Sequence, residues 1–161
     1  MKSPTTKSYW QTYCAAADVQ SGDYEVVAFG DSPEMADELG QLIAHGPKRA
    51  TAGLYRDFEN DLDSLPHVGG HVIVIDGKGQ PLCIFQTTDV RIGPLNSVDA
   101  QFAWDEGEGD RTREWWLAAH TEFFMRQAKS EGFEFTTNIK TVFERFKVVW
   151  PSTLKQSDQR L

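Results

Sequence analysis

The stretch HVIVIDGKGQPLCIFQTTDV, residues 71–90, constrains the fold more than any other part of the chain. Two apolar runs, 71–76 and 82–90, are joined across Gly77-Lys78-Gly79-Gln80-Pro81. Glycine and proline break both runs, and a β-hairpin is the simplest way to connect them. Any fold for this chain must therefore be organised around an antiparallel pair.

The segments on either side supply the layers. Tyr9, Trp10, Tyr13 and Cys14 recur at spacings of three and four and predict a helix over 6–17, ended by a turn at Ser21-Gly22-Asp23. An extended segment follows at 24–29. Ser32 then caps a second helix with Pro33 in its first position, and Met35, Leu39, Leu42 and Ile43 form its buried face. Gly46-Pro47 stops it. Beyond the hairpin, 91–99 reads as a crossing loop containing Gly93 and Pro94, and Phe102-Ala103-Trp104 leads into the acidic segment DEGEGD at 105–110. Asp110 or Thr112 caps a long helix to about Lys129, with Trp116, His120, Phe123, Phe124 and Gln127 on one face and Gly132 after its end. A last strand covers 141–150, with Phe146, Val148 and Trp150 alternating against Arg145, Lys147 and Val149. This order lacks the regular strand-helix alternation of a doubly wound sheet. It predicts an α+β domain, a small barrel or strongly bent, mostly antiparallel sheet flanked by helices.

A chain of 161 residues fits one domain, here 1–161 with a core over about 24–150 and a polar, frayed tail at 152–161. The formal charge of -8 argues against a whole-surface grip on nucleic acid or an anionic membrane, so any nucleic-acid contact must be local. The polar start of the chain and the lack of a long apolar run predict a cytoplasmic protein with no membrane contact. Cys14 and Cys83, far apart and outside any C-x-x-C pair, are expected as reduced thiols.

Against that acidic background HGPKRATAGLYR, residues 45–56, carries Lys48, Arg49 and Arg56 and no carboxylate. The Gly-Pro turn holds Lys48 in a defined place, and Thr51 points to the same side if the backbone makes one helical turn. An ammonium with a neighbouring hydroxyl suits a phosphate or a polarised carbonyl, and the hydroxyl becomes a nucleophile beside a base. The competing reading has the two cations neutralise the negative helix end while Thr51 starts the next element. In the acidic segment a single glutamate could act as general base beside a lysine, or the segment caps a helix as a solvated loop. It lacks a calcium-loop ligand pattern, and the scattered histidines His45, His67, His71 and His120 form no zinc set, so no metal is expected. His120, on an apolar helix face, reads first as a core histidine. Tyr55, Trp104, Trp115 and Trp116 are candidates for stacking on bases, at most two of them exposed. No P-loop, G-x-G-x-x-G or G-x-S-x-G occurs, and no cofactor is expected.

Four segments in this order, G-x-K-x-x-T at Gly46, Lys48 and Thr51, GGHVIVIDGKGQP at 69–81, FAWDEGEGD at 102–110 and W-x-x-x-x-H-x-x-F-F at 115–124, resemble the ASCH domain family. The resemblance covers most of the chain and implies a PUA-like fold, a small β-barrel with helices around a ligand cleft. It also implies an association with RNA: some members bind it, one bacterial branch cleaves single-stranded RNA, and a shorter branch hydrolyses the amide of N4-acetylcytidine with a Lys, Thr and Glu triad. Carried over, the triad is Lys48, Thr51 and Glu106, with Glu108 as the alternative glutamate. Arg49, Tyr55, Arg56, Trp104, Trp115, His120 and Glu108 are the expected substrate contacts. The sequence departs from the T-x-R found in many members, since Gly53 stands in that place and Arg56 replaces the cation only if the chain curls back. Three functions follow, taken in this order: a ribonuclease acting on single-stranded RNA or short oligonucleotides around Lys48, an amidohydrolase of N4-acetylcytidine-type modified nucleosides, and a non-catalytic RNA or nucleotide binding module.

Overall fold

The computed structural model describes residues 2–20 and 22–152; Ser21 of the first turn and all but Ser152 of the expected polar tail lie outside the described residues. Four α-helices, α1 (Pro4–Ala17), α2 (Pro33–His45), α3 (Ala100–Glu106) and α4 (Arg113–Glu131), pack on a five-stranded sheet. The strands are β1 (Glu25–Val27), β2 (Ala50–Leu54), β3 (His71–Ile75), β4 (Pro81–Pro94) and β5 (Lys140–Trp150), in the order β1-β3-β4-β5-β2. The expected hairpin is present as β3 and β4, with Val72 opposite Phe85 and Val74 opposite Cys83. β1 alone runs parallel to its neighbour, β3; the other pairings are antiparallel. Register shifts at Ile84/Phe85 and Thr87/Asp89 bend the β4–β5 ladder, as an extra residue in one strand does. The sheet curls into a half-barrel that stays open between edges β1 and β2.

Three cores join the layers. Trp10, Tyr13 and Cys14 of α1 pack on Tyr24, Ile73 and Ile84. Ile43 and Ala44 of α2 lie on Val74, Cys83, Phe85 and Phe146. Phe102, Trp116 and Phe124 of α3 and α4 close over Ala50, Leu54 and Phe143. Each such aromatic contributes about 1.5–3 kcal/mol by leaving water. Both cysteines are buried free thiols. No helix among the described residues is long and apolar enough to cross a membrane.

The structure corrects several local expectations. Residues 50–54 are not a helical turn but strand β2, formed from weak strand formers because β5 offers them a full ladder. The crossing loop at 91–99 is mostly β4 itself, which runs to Pro94 before one 3-10 turn at Leu95–Ser97. Phe102-Ala103-Trp104 lies inside α3, capped by Asp99, whose side chain accepts from the Phe102 N–H. Seven residues are too few for a period to appear in the sequence.

Candidate functional site

Lys48 enters the protein interior from the end of α2. The Gly46 and Lys48 amides both donate to Leu42 O, at 3.1 and 3.2 Å, which tightens the turn and directs the lysine inward. Its side chain is only 1% exposed. The ammonium donates to Ala50 O at 2.9 Å, to Glu106 Oε1 at 3.2 Å and to Glu108 Oε2 at 2.7 Å. An ammonium has three protons, and all three are committed.

The glycines of the acidic segment make this meeting possible. Glu106 is the last residue of α3, and Gly107 ends the helix in the left-handed region at φ +68°. A Cβ there would stand 2.9 Å from the Lys48 nitrogen of the backbone, so only glycine lets the two segments touch. Gly109, at φ +57°, lies under the indole of Trp115, where a Cβ would meet the ring at 2.1 Å. The Arg49 amide donates to Asp105 O at 2.7 Å, and Arg145 Nε to Asp105 Oδ2 at 3.0 Å, which anchors the end of α3 beside the lysine. Of the two alternative caps for α4, Thr112 accepts from the Trp115 amide, while Asp110 accepts from Thr112.

Glu106 is held on its far side by α4. Trp116 Nε1 donates to Glu106 Oε2, and His120 Nε2 lies 3.1 Å from Glu106 Oε1. His120 Nδ1 is 2.9 Å from Trp116 O. Both partners of the imidazole are acceptors, so both ring nitrogens must carry protons. Burial alone lowers the His120 pKa, but the Glu106 charge and hydrogen bond outweigh it and raise it above the ordinary value. Burial likewise pushes Glu106 up, yet Lys48 and then His120 hold its carboxyl well below the usual range. For Lys48, burial pulls down, and the charges of Glu106 and Glu108 carry its pKa above the ordinary lysine value. The cluster is therefore a network of two cations and two carboxylates. Trp116, expected on the sequence as core or stacking surface, is the residue that fixes the glutamate.

A cavity of about 300 Å³ opens beside this network. Lys48, Thr51, Glu106, Glu108, Trp115 and His120 all border it. Phe29, Met35 and Phe123 also line it; the sequence placed Met35 and Phe123 on buried helix faces rather than at a site, because their local signal is apolarity. The Thr51 hydroxyl makes no hydrogen bond with a described residue, and Lys48 does not donate to it.

The remaining expected contacts lie elsewhere. The Arg49 guanidinium donates to Ile43 O and Lys48 O. Arg56 does not curl back: it pairs with Glu131 at 2.8 Å and covers the Phe133 ring. Tyr55 lies under Lys140, and Trp104, 52% exposed, lies under Arg111. Arg126 borders the cavity and pairs with Asp31.

The family model of the ASCH domain matches residues 25–150. The crystal structure of an ASCH domain from Lactobacillus crispatus JV V101 superposes with a TM-score of 0.82 at 29% identity, over 91% of this chain and 94% of that one. Protein EF3133 from Enterococcus faecalis V583, described under DUF984, superposes with a TM-score of 0.80 at 33% identity, over 89% of this chain and 86% of that one. No curated protein matches the chain. The chain belongs to the ASCH domain family, and its half-barrel is PUA-like.

Proposed function

We propose that this ASCH domain, whose PUA-like fold is associated with RNA binding, takes an N4-acylated cytidine or a closely similar modified nucleoside into the cavity and hydrolyses its exocyclic amide. The observation that carries this reading is that Lys48, Thr51 and Glu106 border one cavity of about 300 Å³ whose other walls include Trp115 and Phe123. That volume is at the small end of ligand pockets and suits one nucleoside rather than a strand. Thr51 is the nucleophile. Lys48 keeps its proton and stabilises the developing oxyanion, and Glu106 holds it in place. Glu108, the more exposed of the two carboxylates at 16% against 2%, is the partner that can yield an N–H to the substrate. Lys48 thus serves as an electrostatic group, not as the base suggested by the triad's residue types alone.

The ribonuclease reading is less well supported by the charges. A phosphate needs an uncommitted cation, but Lys48 faces two carboxylates, His120 faces Glu106, Arg126 pairs with Asp31 and Arg56 points away. Incubation with N4-acetylcytidine, followed by chromatography, should release cytidine and acetate. Release should disappear in Thr51→Ala and Lys48→Ala, with labelled single-stranded RNA left intact in parallel. Cleavage of the RNA that depends on Lys48 would reverse the order of the two readings, and nucleoside binding without turnover would leave the binding module.

A further inference from the structure

The cavity beside Lys48 is not electrically balanced at its opening. The cations that border it are Lys48, His120 and Arg126. Each already has a carboxylate of the chain: Glu106 and Glu108 for the lysine, Glu106 for the histidine, and Asp31, at 3.1 Å, for Arg126.

Two further carboxylates border the cavity, Glu38 from α2 and Glu122 from α4. Both are exposed, which puts them at its mouth, whereas Lys48 and Glu106 are buried at its floor. Neither makes a hydrogen bond or ion pair with a described residue. The positive end of α2 is the remaining feature beside the mouth that favours an anion, since Gly30 and Met35 line the cavity next to it. Its first turn already carries Glu34, and the Met35 amide donates to the cap, Ser32. A ligand therefore approaches an opening with two negative charges that no described residue offsets.

We propose that Glu38 and Glu122 select the uncharged nucleoside and turn away its 5′-phosphate, a specificity that rests on the amidohydrolase reading above. A phosphate monoester carries about two negative charges at neutral pH. On entering, it would lose water beside two carboxylates and gain no uncommitted cation in return. The hydroxyls of a free nucleoside bear no such cost, and a hydroxyl can donate to a carboxylate. An acylated cytidine inside an RNA strand carries phosphates on both sides and meets the same barrier. The substrate must then be supplied by reactions that cut the strand and remove the phosphate, which places this chain after a phosphomonoesterase.

The test compares N4-acetylcytidine with its 5′-monophosphate by kcat/KM at pH 7.5. Calorimetric binding of cytidine and cytidine 5′-monophosphate reads the same selection without turnover. At about 0.01 M ionic strength the nucleoside should be favoured about tenfold in both, the worth of a few charge pairs roughly 8–10 Å apart in water. Raising the ionic strength to about 1 M shortens the screening length from about 30 to about 3 Å and should cut the preference to about threefold or less. Combining Glu38→Gln with Glu122→Gln should reduce it similarly at low salt, and Glu122→Lys, which puts a cation at the mouth, should reduce it further. Equal or better use of the monophosphate by the wild type overturns the proposal, as does a preference that neither salt nor the variants reduce, or binding of neither compound. Turnover of both substrates at equal rates refutes the selection and leaves the amidohydrolase reading standing. A salt-dependent preference for cytidine with no turnover of N4-acetylcytidine upholds the selection and refutes that reading alone.

Discussion

Lys48→Met removes the ammonium and keeps an unbranched apolar stem in a fully buried place. Removing one partner of a buried ion pair costs about 3–5 kcal/mol, because the other charge is left without compensation. Here the loss belongs at the lower end. Glu106 keeps its hydrogen bonds to Trp116 and His120, and Glu108, 16% exposed, can turn to water. A cost of about 3 kcal/mol and a urea m-value of about 2 kcal/mol/M place the unfolding midpoint about 1.5 M lower. The deficit must also depend on pH. In the wild type the folded-state pKa of Glu106 is depressed, so its contribution is present above the unfolded value and is lost as pH falls through the folded one. Without Lys48 the largest influence that lowers the Glu106 pKa is gone, so its folded-state pKa rises relative to the wild type. The variant's penalty is then largest at neutral pH and shrinks as the carboxyl takes a proton. Urea unfolding followed by tryptophan fluorescence at pH 7.5 and pH 5 reads both effects. Adding Glu106→Gln to Lys48→Met should return at least half of the lost stability, since replacing both members of a buried pair is often nearly neutral. A shift that is the same at both pH values, or a double variant no more stable than the single one, would refute the account of Lys48 as a cation held by a buried carboxylate.

Other consequences can be measured separately. The His120 Cε1 proton should titrate above 6.5 by NMR and move down in Glu106→Gln; its stabilising contribution is full below the unfolded pKa and is lost as pH rises through the folded one. Gly109→Ala forces a side chain into the Trp115 ring at φ +57°; about 2 kcal/mol of left-handed strain and clash should lower Tm by about 4–8 °C and alter the Trp115 fluorescence. Arg56→Ala removes an exposed pair with Glu131 and a contact with Phe133, together worth no more than about 1 kcal/mol, and should leave amide turnover unchanged.

What the sequence disclosed, and what it withheld, follows the range of the interactions. The hairpin, the boundaries of α2 at Ser32 and Gly46, and the alternation of Phe146 and Val148 on β5 are written in neighbouring residues, and the structure has each of them. β2 is not, because Ala50–Leu54 becomes a strand only when β5 lies beside it. The same distinction governs the site. The types Lys48, Thr51 and Glu106 were legible through the resemblance, but the role of Lys48 depends on Glu106 and Glu108, 58 and 60 residues away, and these change the chemistry. Three cations in a run without a carboxylate suggest an anion from outside; the lysine's anions are the chain's own Glu106 and Glu108, and Arg56 is taken by Glu131. Glycines between carboxylates suggest a flexible cation loop, whereas Gly107 is needed because the Lys48 backbone passes where a side chain would be.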